Sequence, residues 1–347
     1  MKKIVIACDS YKGCLSSSEV SGAVAEGVSG VYPDCEVVRL AVADGGEGTV
    51  EALVDTLGGH LEWAEVSDPL GRPVRAAYGV AGDLAIIESA AACGLTLLTK
   101  EERNPLIATT KGLGQLILAA VDKGCRRFLI GLGGSATNDG GMGMIGAEGF
   151  LAKTRGLQFT VACDVDTPYI GGNGASRVFG PQKGASVQDV EVLEERLRGY
   201  ALKISEDTGI DVSDMPGAGA AGGLGGAFRA YLGAELKRGV DLVLDQIGFD
   251  SVITGADLVI TGEGCSDYQT LKGKTAAGVL ERAGRQHIPV ALVSGAIRDE
   301  KMLRDSGFRI VEAVTPPAMS LEEAMRPETA KRLVAIATRN ILHHFCI

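Results

Sequence analysis

Carboxylates, hydroxyls and lysines set among glycines recur along this chain, and that grouping suggests phosphate chemistry. The richest group spans residues 131–143, where six of thirteen residues are glycine and Ser135, Thr137, Asn138 and Asp139 supply the polar groups. Glycine lets a backbone come close to a ligand and point successive N–H groups at an anion. Carboxylates and hydroxyls beside it can hold a metal or orient a substrate hydroxyl. Similar junctions occur at 43–49, with Asp44 and Glu47, at 216–226, and at 260–264, with Glu263. A single glycine loop would read as a turn, whereas several beside strands and helices point to a binding crevice.

Phosphoryl transfer needs phosphate donors, carboxylates for Mg²⁺ and a group that orients the attacking hydroxyl. Asp9 and Lys12 follow the apolar run Ile4–Ala7 and supply a carboxylate and an anion anchor. Asp44 and Glu47 flank two glycines, where helix capping and ligand binding are both expected. Asp164 follows the strand-like stretch 159–162. The tight turn 180–184 presents Gln182 and Lys183 as further candidates, with a solvated surface lysine the fair alternative. Asp267, Lys272 and Lys274 precede a helical pattern and could meet a polyphosphate. The Gly-Lys-Thr at 273–275 imitates a P-loop, but Tyr268 stands where that motif needs glycine. No GxGxxG sits in a βαβ context, so nicotinamide chemistry is weakly supported. The four histidines (60, 287, 343 and 344) lie outside the glycine loops, which disfavours a His-based triad or metal site.

These groups need elements to hold them. The ends of the chain alternate strand and helix: Ile4–Ala7, a helix opened by the Ser16–Glu19 capping box, then strands near 37–42, 257–260, 289–293 and 309–314. Five such strands with intervening helices predict one doubly wound parallel sheet. The middle mixes short strands, such as Leu84–Ile87, with isolated helices. It is expected to form a second α/β domain, 67–235, inserted into a first domain made of 1–66 and 236–347, with the active site in the cleft between them. Residues 66–73 read as a linker or an edge turn.

The 347 residues are 46% hydrophobic and carry a net charge of −10, which suits a globular protein and disfavours nucleic acid as partner. No window offers the apolar length of a membrane span, and Asp9 interrupts the N-terminal run too early for a signal peptide. Eight cysteines without CxxC spacing suit buried thiols, so the expected location is the cytoplasm.

Taken in order, the blocks 9–16 (DSYKGCLS), 43–49 (ADGGEGT), 103–110 (RNPLIATT), 131–143, 162–165, 178–185 (VFGPQKGA), 216–225 and 261–274 resemble the bacterial type 1 glycerate kinase family, the glycerate 2-kinase group. The resemblance covers nearly the whole chain. It implies a Rossmann- or flavodoxin-like domain with a second α/β domain, and Mg²⁺-assisted transfer from ATP to D-glycerate, giving 2-phosphoglycerate. Within that frame, Asp164 and Asp9 are candidates to orient the 2-hydroxyl, and Lys12 or backbone N–H groups of the 131–143 loop to hold the carboxylate. Ser10, Asp44, Gly134, Ser135 and Asn138 are candidates for substrate binding. Gly217, Gly219, Gly222, Gly223 and Lys274 are candidates for the nucleotide phosphates, and Asp139, Glu263 and Asp267 for the metal. The chain departs from the family pattern at Cys265, where an arginine is usual, at Ser89 and Thr167, and in a shortened segment 144–161. These departures keep open a kinase of a related hydroxy or sugar acid, or a non-catalytic nucleotide or anion sensor.

Overall fold

A computed structural model describes residues 1–46 and 48–345; Glu47, Cys346 and Ile347 lie outside the described residues. The chain folds as two compact units, one of Met1–Asp44, Asp55–Leu57 and Val240–Ile347, the other of Gly45–Val54 and Gly58–Gly239. In chain order the strands are β1 (Lys3–Cys8), β2 (Glu36–Ala41), β3 (His60–Ser67), β4 (Pro73–Ala81), β5 (Leu84–Glu88), β6 (Arg127–Gly131), β7 (Gln158–Ala162), β8 (Glu235–Lys237), β9 (Leu258–Gly262), β10 (Cys265–Ser266), β11 (Val290–Ser294), β12 (Ala296–Ile297) and β13 (Ile310–Ala313).

The first unit holds a wholly parallel sheet in the order β13-β11-β9-β1-β2. Counted along this unit the order is 2-1-3-4-5, the flavodoxin-like arrangement, whose reversal falls between β1 and β9. Both strands are continuous apolar runs, as burial on two faces requires, and Ile4, Ile6, Leu258 and Ile260 are fully buried. The helix Ser17–Ser29 starts at the expected capping box, with Ser16 Oγ accepting from Glu19 N–H at 3.2 Å and the Glu19 carboxylate accepting from Ser16 N–H at 3.0 Å. Its Val20, Val24 and Val28 share a core with Val334 and Ile341 of the helix Pro327–Phe345.

The second unit is built on six strands in the order β3-β4-β5-β6-β7-β8. The first two pairings are antiparallel and the last three parallel. Phe128 and Phe159 stack at 4.7 Å in its core, which also takes in Ile87, Leu116 and Phe228. Residues 60–66, expected in the first domain, form most of β3 in this sheet. The stretch read as a linker or edge turn is the hairpin turn that joins β3 to β4. There Asp68 N–H donates to Arg72 O at 2.7 Å and the two side chains pair at 2.6 Å. No helix among the described residues is long and apolar enough to cross a membrane.

Candidate active site

In an open parallel sheet, ligands bind beyond the carboxyl ends of the strands at the point where strand order reverses. In the first unit that point is marked by Cys8 and Gly262, which pair in register, so Asp9 and Glu263 leave the sheet side by side. Asp9 N–H donates to Gly262 O at 2.8 Å. The carboxylate, only 6% exposed, accepts from Ser10 N–H at 2.7 Å and from the Thr275 hydroxyl at 2.5 Å. Burial drives its pKa up to about 6 against the opposing Thr275 hydrogen bond, and the charge of Asp44 adds to the rise. Lys12 sits exposed in the short turn closed by the Tyr11–Leu15 bridge, and Ser10 is half-buried.

Glu263 is buried within a ring of donors. One oxygen accepts from Ser266 Oγ at 3.1 Å and Thr270 Oγ1 at 2.5 Å, the other from Lys274 Nζ at 3.2 Å. Ser266 in turn meets Ser294 Oγ at 2.7 Å. Lys274 stands at the start of the helix Thr275–Arg285. Burial works to lower its pKa, but the charge and hydrogen bond of Glu263 outweigh that and hold it above the ordinary value. Asp267 is half-buried and turns one oxygen to Gln269 N–H at 2.8 Å. The structure thus gathers Asp9, Glu263, Asp267 and Lys274 with Thr275 in one unit. Cys265 lies beside Glu263 in the short β10, half-buried and paired to Ala296.

In the second unit β5, β6 and β7 end level, at Glu88, Gly131 and Ala162. The loop after β6 is tied to the segment after β5: Leu95 N–H donates to Gly134 O and Ala136 N–H to Cys93 O, each at 2.8 Å. Among the described residues, the N–H groups of Gly133, Gly134 and Ser135 donate to no carbonyl or side chain. Gly133 and Gly134 are exposed, and Gly134 holds a left-handed φ of +74°. Successive amides without acceptors are the groups from which anion-binding nests are built.

Asp139 does something else. Its carboxylate accepts from Thr109 Oγ1, Thr110 N–H and Oγ1, Gly141 N–H and Gly143 N–H at 2.8–3.2 Å, fastening the far end of the loop. Asn138 is fully buried, with Nδ2 donating to Ser176 Oγ at 2.9 Å. Asp164 is exposed and accepts from Gly239 N–H at 2.8 Å.

The glycines assigned to nucleotide phosphates are buried against the protein's own backbone. A Cβ would lie 2.1 Å from Pro168 O at Gly219, 2.1 Å from Thr137 O at Gly222 and 2.7 Å from Gly140 Cα at Gly223. At Gly217 it would meet Cys163 Sγ at 3.1 Å. Close packing and left-handed turns at 217, 222 and 223 account for glycine there.

The sequence left one residue undecided and missed another. Lys183, a candidate with a solvated position as the alternative, is 2% exposed and donates to Ser135 Oγ at 3.0 Å and Thr137 O at 2.7 Å; burial lowers its pKa to about 8. Glu88 accepts from Val50 N–H at 3.1 Å, and burial, opposed by that bond, pushes its pKa up to about 7. A charged residue closing the apolar run Leu84–Ile87 was the available signal for it. Lys183 stayed undecided, since a Pro-Gln-Lys-Gly turn looks the same in solvent or under a loop.

A flavodoxin-order sheet bearing a buried carboxylate at its reversal, with a second unit that presents open amides, defines a two-unit α/β enzyme. The model of the glycerate kinase family matches residues 4–157 and 148–346. The chain is 44% identical to a glycerate kinase of Bacillus subtilis (strain 168), over 93% of this chain and 92% of that one. It is 42% identical to a glycerate 2-kinase of Escherichia coli (strain K12), over 98% and 97%. A crystal structure described as a candidate glycerate kinase 2 from Salmonella typhimurium LT2 superposes with a TM-score of 0.88 at 41% identity, covering 99% of this chain and 98% of that one. The chain belongs to the glycerate kinase family. The family model matches as two stretches that overlap at 148–157, inside the segment expected to be short. The E. coli alignment needs 370 positions where this chain has 347 residues, so the comparison carries gaps.

Proposed function

We propose that the protein transfers the γ-phosphoryl group of ATP, with Mg²⁺, to the 2-hydroxyl of D-glycerate, giving 2-phosphoglycerate in the cytoplasm. The observation that carries the mechanism is Asp9, a buried carboxylate at the sheet reversal whose pKa of about 6 suits a base working near neutrality. Of the two carboxylates considered for the hydroxyl, it fits better than exposed Asp164, which already holds Gly239 N–H. Asp9 accepts the proton of the attacking hydroxyl, while Thr275 keeps the acceptor oriented. Lys274, held by Glu263, meets the charge of the transferring phosphates. The amides of Gly133, Gly134 and Ser135 receive an oxyanion of a substrate.

Mg²⁺ delivered on a nucleotide needs only one or two carboxylates, because phosphates and water fill the remaining positions. Asp267 fits that part: among the described residues its second oxygen has no hydrogen-bond partner. Asp139 and Glu263, with their donors already in place, serve as structural anchors in this reading. The ion would neutralise phosphate charge. A relative named glycerate 2-kinase supports the choice of hydroxyl.

The test is a coupled ADP-release assay with Mg-ATP and D-glycerate, with the product resolved by NMR. Turnover to 2-phosphoglycerate is expected. The 3-isomer would correct the hydroxyl assignment, and no turnover with ADP release on another hydroxy acid would transfer the reading to that substrate. Turnover with none of them would favour the sensor reading.

A further inference from the structure

A buried ammonium is costly unless a carboxylate or strong acceptors compensate it. Lys183 is buried at 2% exposure, yet among the described residues it forms no ion pair. Its contacts are the Ser135 hydroxyl oxygen at 3.0 Å, the Thr137 carbonyl at 2.7 Å and the face of Phe179 at 5.9 Å. Asp139 and Cys93 act on it through space without a hydrogen bond. All these residues belong to the second unit.

An ammonium only donates, so it takes a lone pair of Ser135 Oγ and leaves the Ser135 hydroxyl proton free to point elsewhere. Among the described residues that proton has no acceptor. The bond to Thr137 O pins the loop two residues further on. The outcome is a run of donors, the amides of 133–135 and one polarised hydroxyl, with a positive charge directly behind them. The negative partner this arrangement lacks is a ligand's.

We propose that Lys183 is a positioning residue which, through Ser135, makes the 133–135 loop the receptor for a substrate oxyanion, either a hydroxy-acid carboxylate or a nucleotide phosphate. This rests on the kinase reading above. It differs from that reading in giving the anchoring charge to a lysine the ligand does not touch.

The test uses the full chain with Lys183→Met, which keeps length and removes charge, and Lys183→Arg, which keeps charge. D-glycerate and ATP are titrated separately by calorimetry, and KM, kcat and melting temperature are measured alongside. Lys183→Met is expected to melt close to the parent, because losing a buried charge that has no carboxylate partner offsets the two hydrogen bonds given up. It should lose about tenfold or more in affinity for one ligand only, with KM rising more than kcat falls. Lys183→Arg should recover part of that loss. A loss confined to D-glycerate identifies the carboxylate, and one confined to ATP the phosphate. Unchanged affinities in Lys183→Met, beside normal parent turnover, overturn this inference alone. So does a lowered melting temperature with both affinities lost and no recovery in Lys183→Arg, which would make the lysine purely structural. A parent protein that binds neither ligand and turns nothing over removes the kinase reading as well.

Discussion

The two units present their polar groups in different chemical languages. At the sheet reversal of the first, side chains meet side chains: Asp9 against Thr275, and Glu263 against Ser266, Thr270 and Lys274. In the loop after β6, the backbone is exposed instead, with unpartnered amides at 133–135 and the buried ammonium of Lys183 bonded to Ser135 and Thr137. A carboxylate site fails when one atom is changed. A backbone site tolerates changes of side chain but fails when the chain can no longer hold its shape. The second unit also contains two kinds of glycine, exposed at 133–134 and buried against backbone at 217–223.

The sharpest break falls on the first unit. Asp9→Asn should lower kcat by about 10²–10⁴-fold, the range of general-base catalysis. The fold should survive and stiffen. Asp9 has a folded pKa of about 6 against an ordinary 3.8, so the folded chain binds this proton more tightly than the unfolded one. The stability from this group is complete below the ordinary value and is lost as pH rises through about 6. Ionised Asp9 thus costs about 3 kcal/mol at pH 8, part of which the asparagine recovers. Thermal melts at pH 5 and pH 8 check this, and a variant that melts lower at pH 8 contradicts it. For the same reason kcat/KM of the parent should climb through about pH 6 to a plateau.

The glycines supply the next contrast. Gly222→Ala forces a Cβ to 2.1 Å from Thr137 O at a φ of +72° and should cost about 3 kcal/mol or more. Gly134→Ala meets only Ala90 Cβ at 3.4 Å, so its cost is the left-handed strain, about 1 kcal/mol. Urea denaturation ranks the pair, and equal midpoints would erase the distinction between packing and ligand glycines.

Smaller effects are expected around Glu263. Lys274→Met should raise KM for ATP about tenfold, the loss of one charged contact; a change in the glycerate KM instead would reassign the lysine. Cys265→Arg introduces the residue that the resemblance implies at this position and should lower one substrate's KM by a few-fold at most, read from the same steady-state curves.

Much of this was legible in the residues. The apolar runs 4–7, 159–162 and 257–260 placed three strands to within two residues of their observed ends at Cys8, Ala162 and Gly262, because buried parallel strands leave little freedom in composition. Three things were not. The hairpin β3–β4 escaped because its residues are half-exposed and its Pro-Leu-Gly turn resembles a linker. The close packing around the glycines of 217–223 was not legible, because local sequence shows a missing side chain but not what fills its place. Lys183 and Glu88 owe their altered proton affinities to burial, which arises only from long-range packing.

Strand β1 pairs on one side with β2, a few dozen residues away, and on the other with β9, where Ala7 and Thr261 are separated by 254 positions. On a ribosome adding about 5–20 residues per second, β1 therefore spends tens of seconds with one edge bare before its neighbour is made. The middle unit, 58–239, is complete before β9 emerges. It can finish folding while the first unit is still half a sheet, so the N-terminal strand is the part of the nascent chain most in need of protection from other chains.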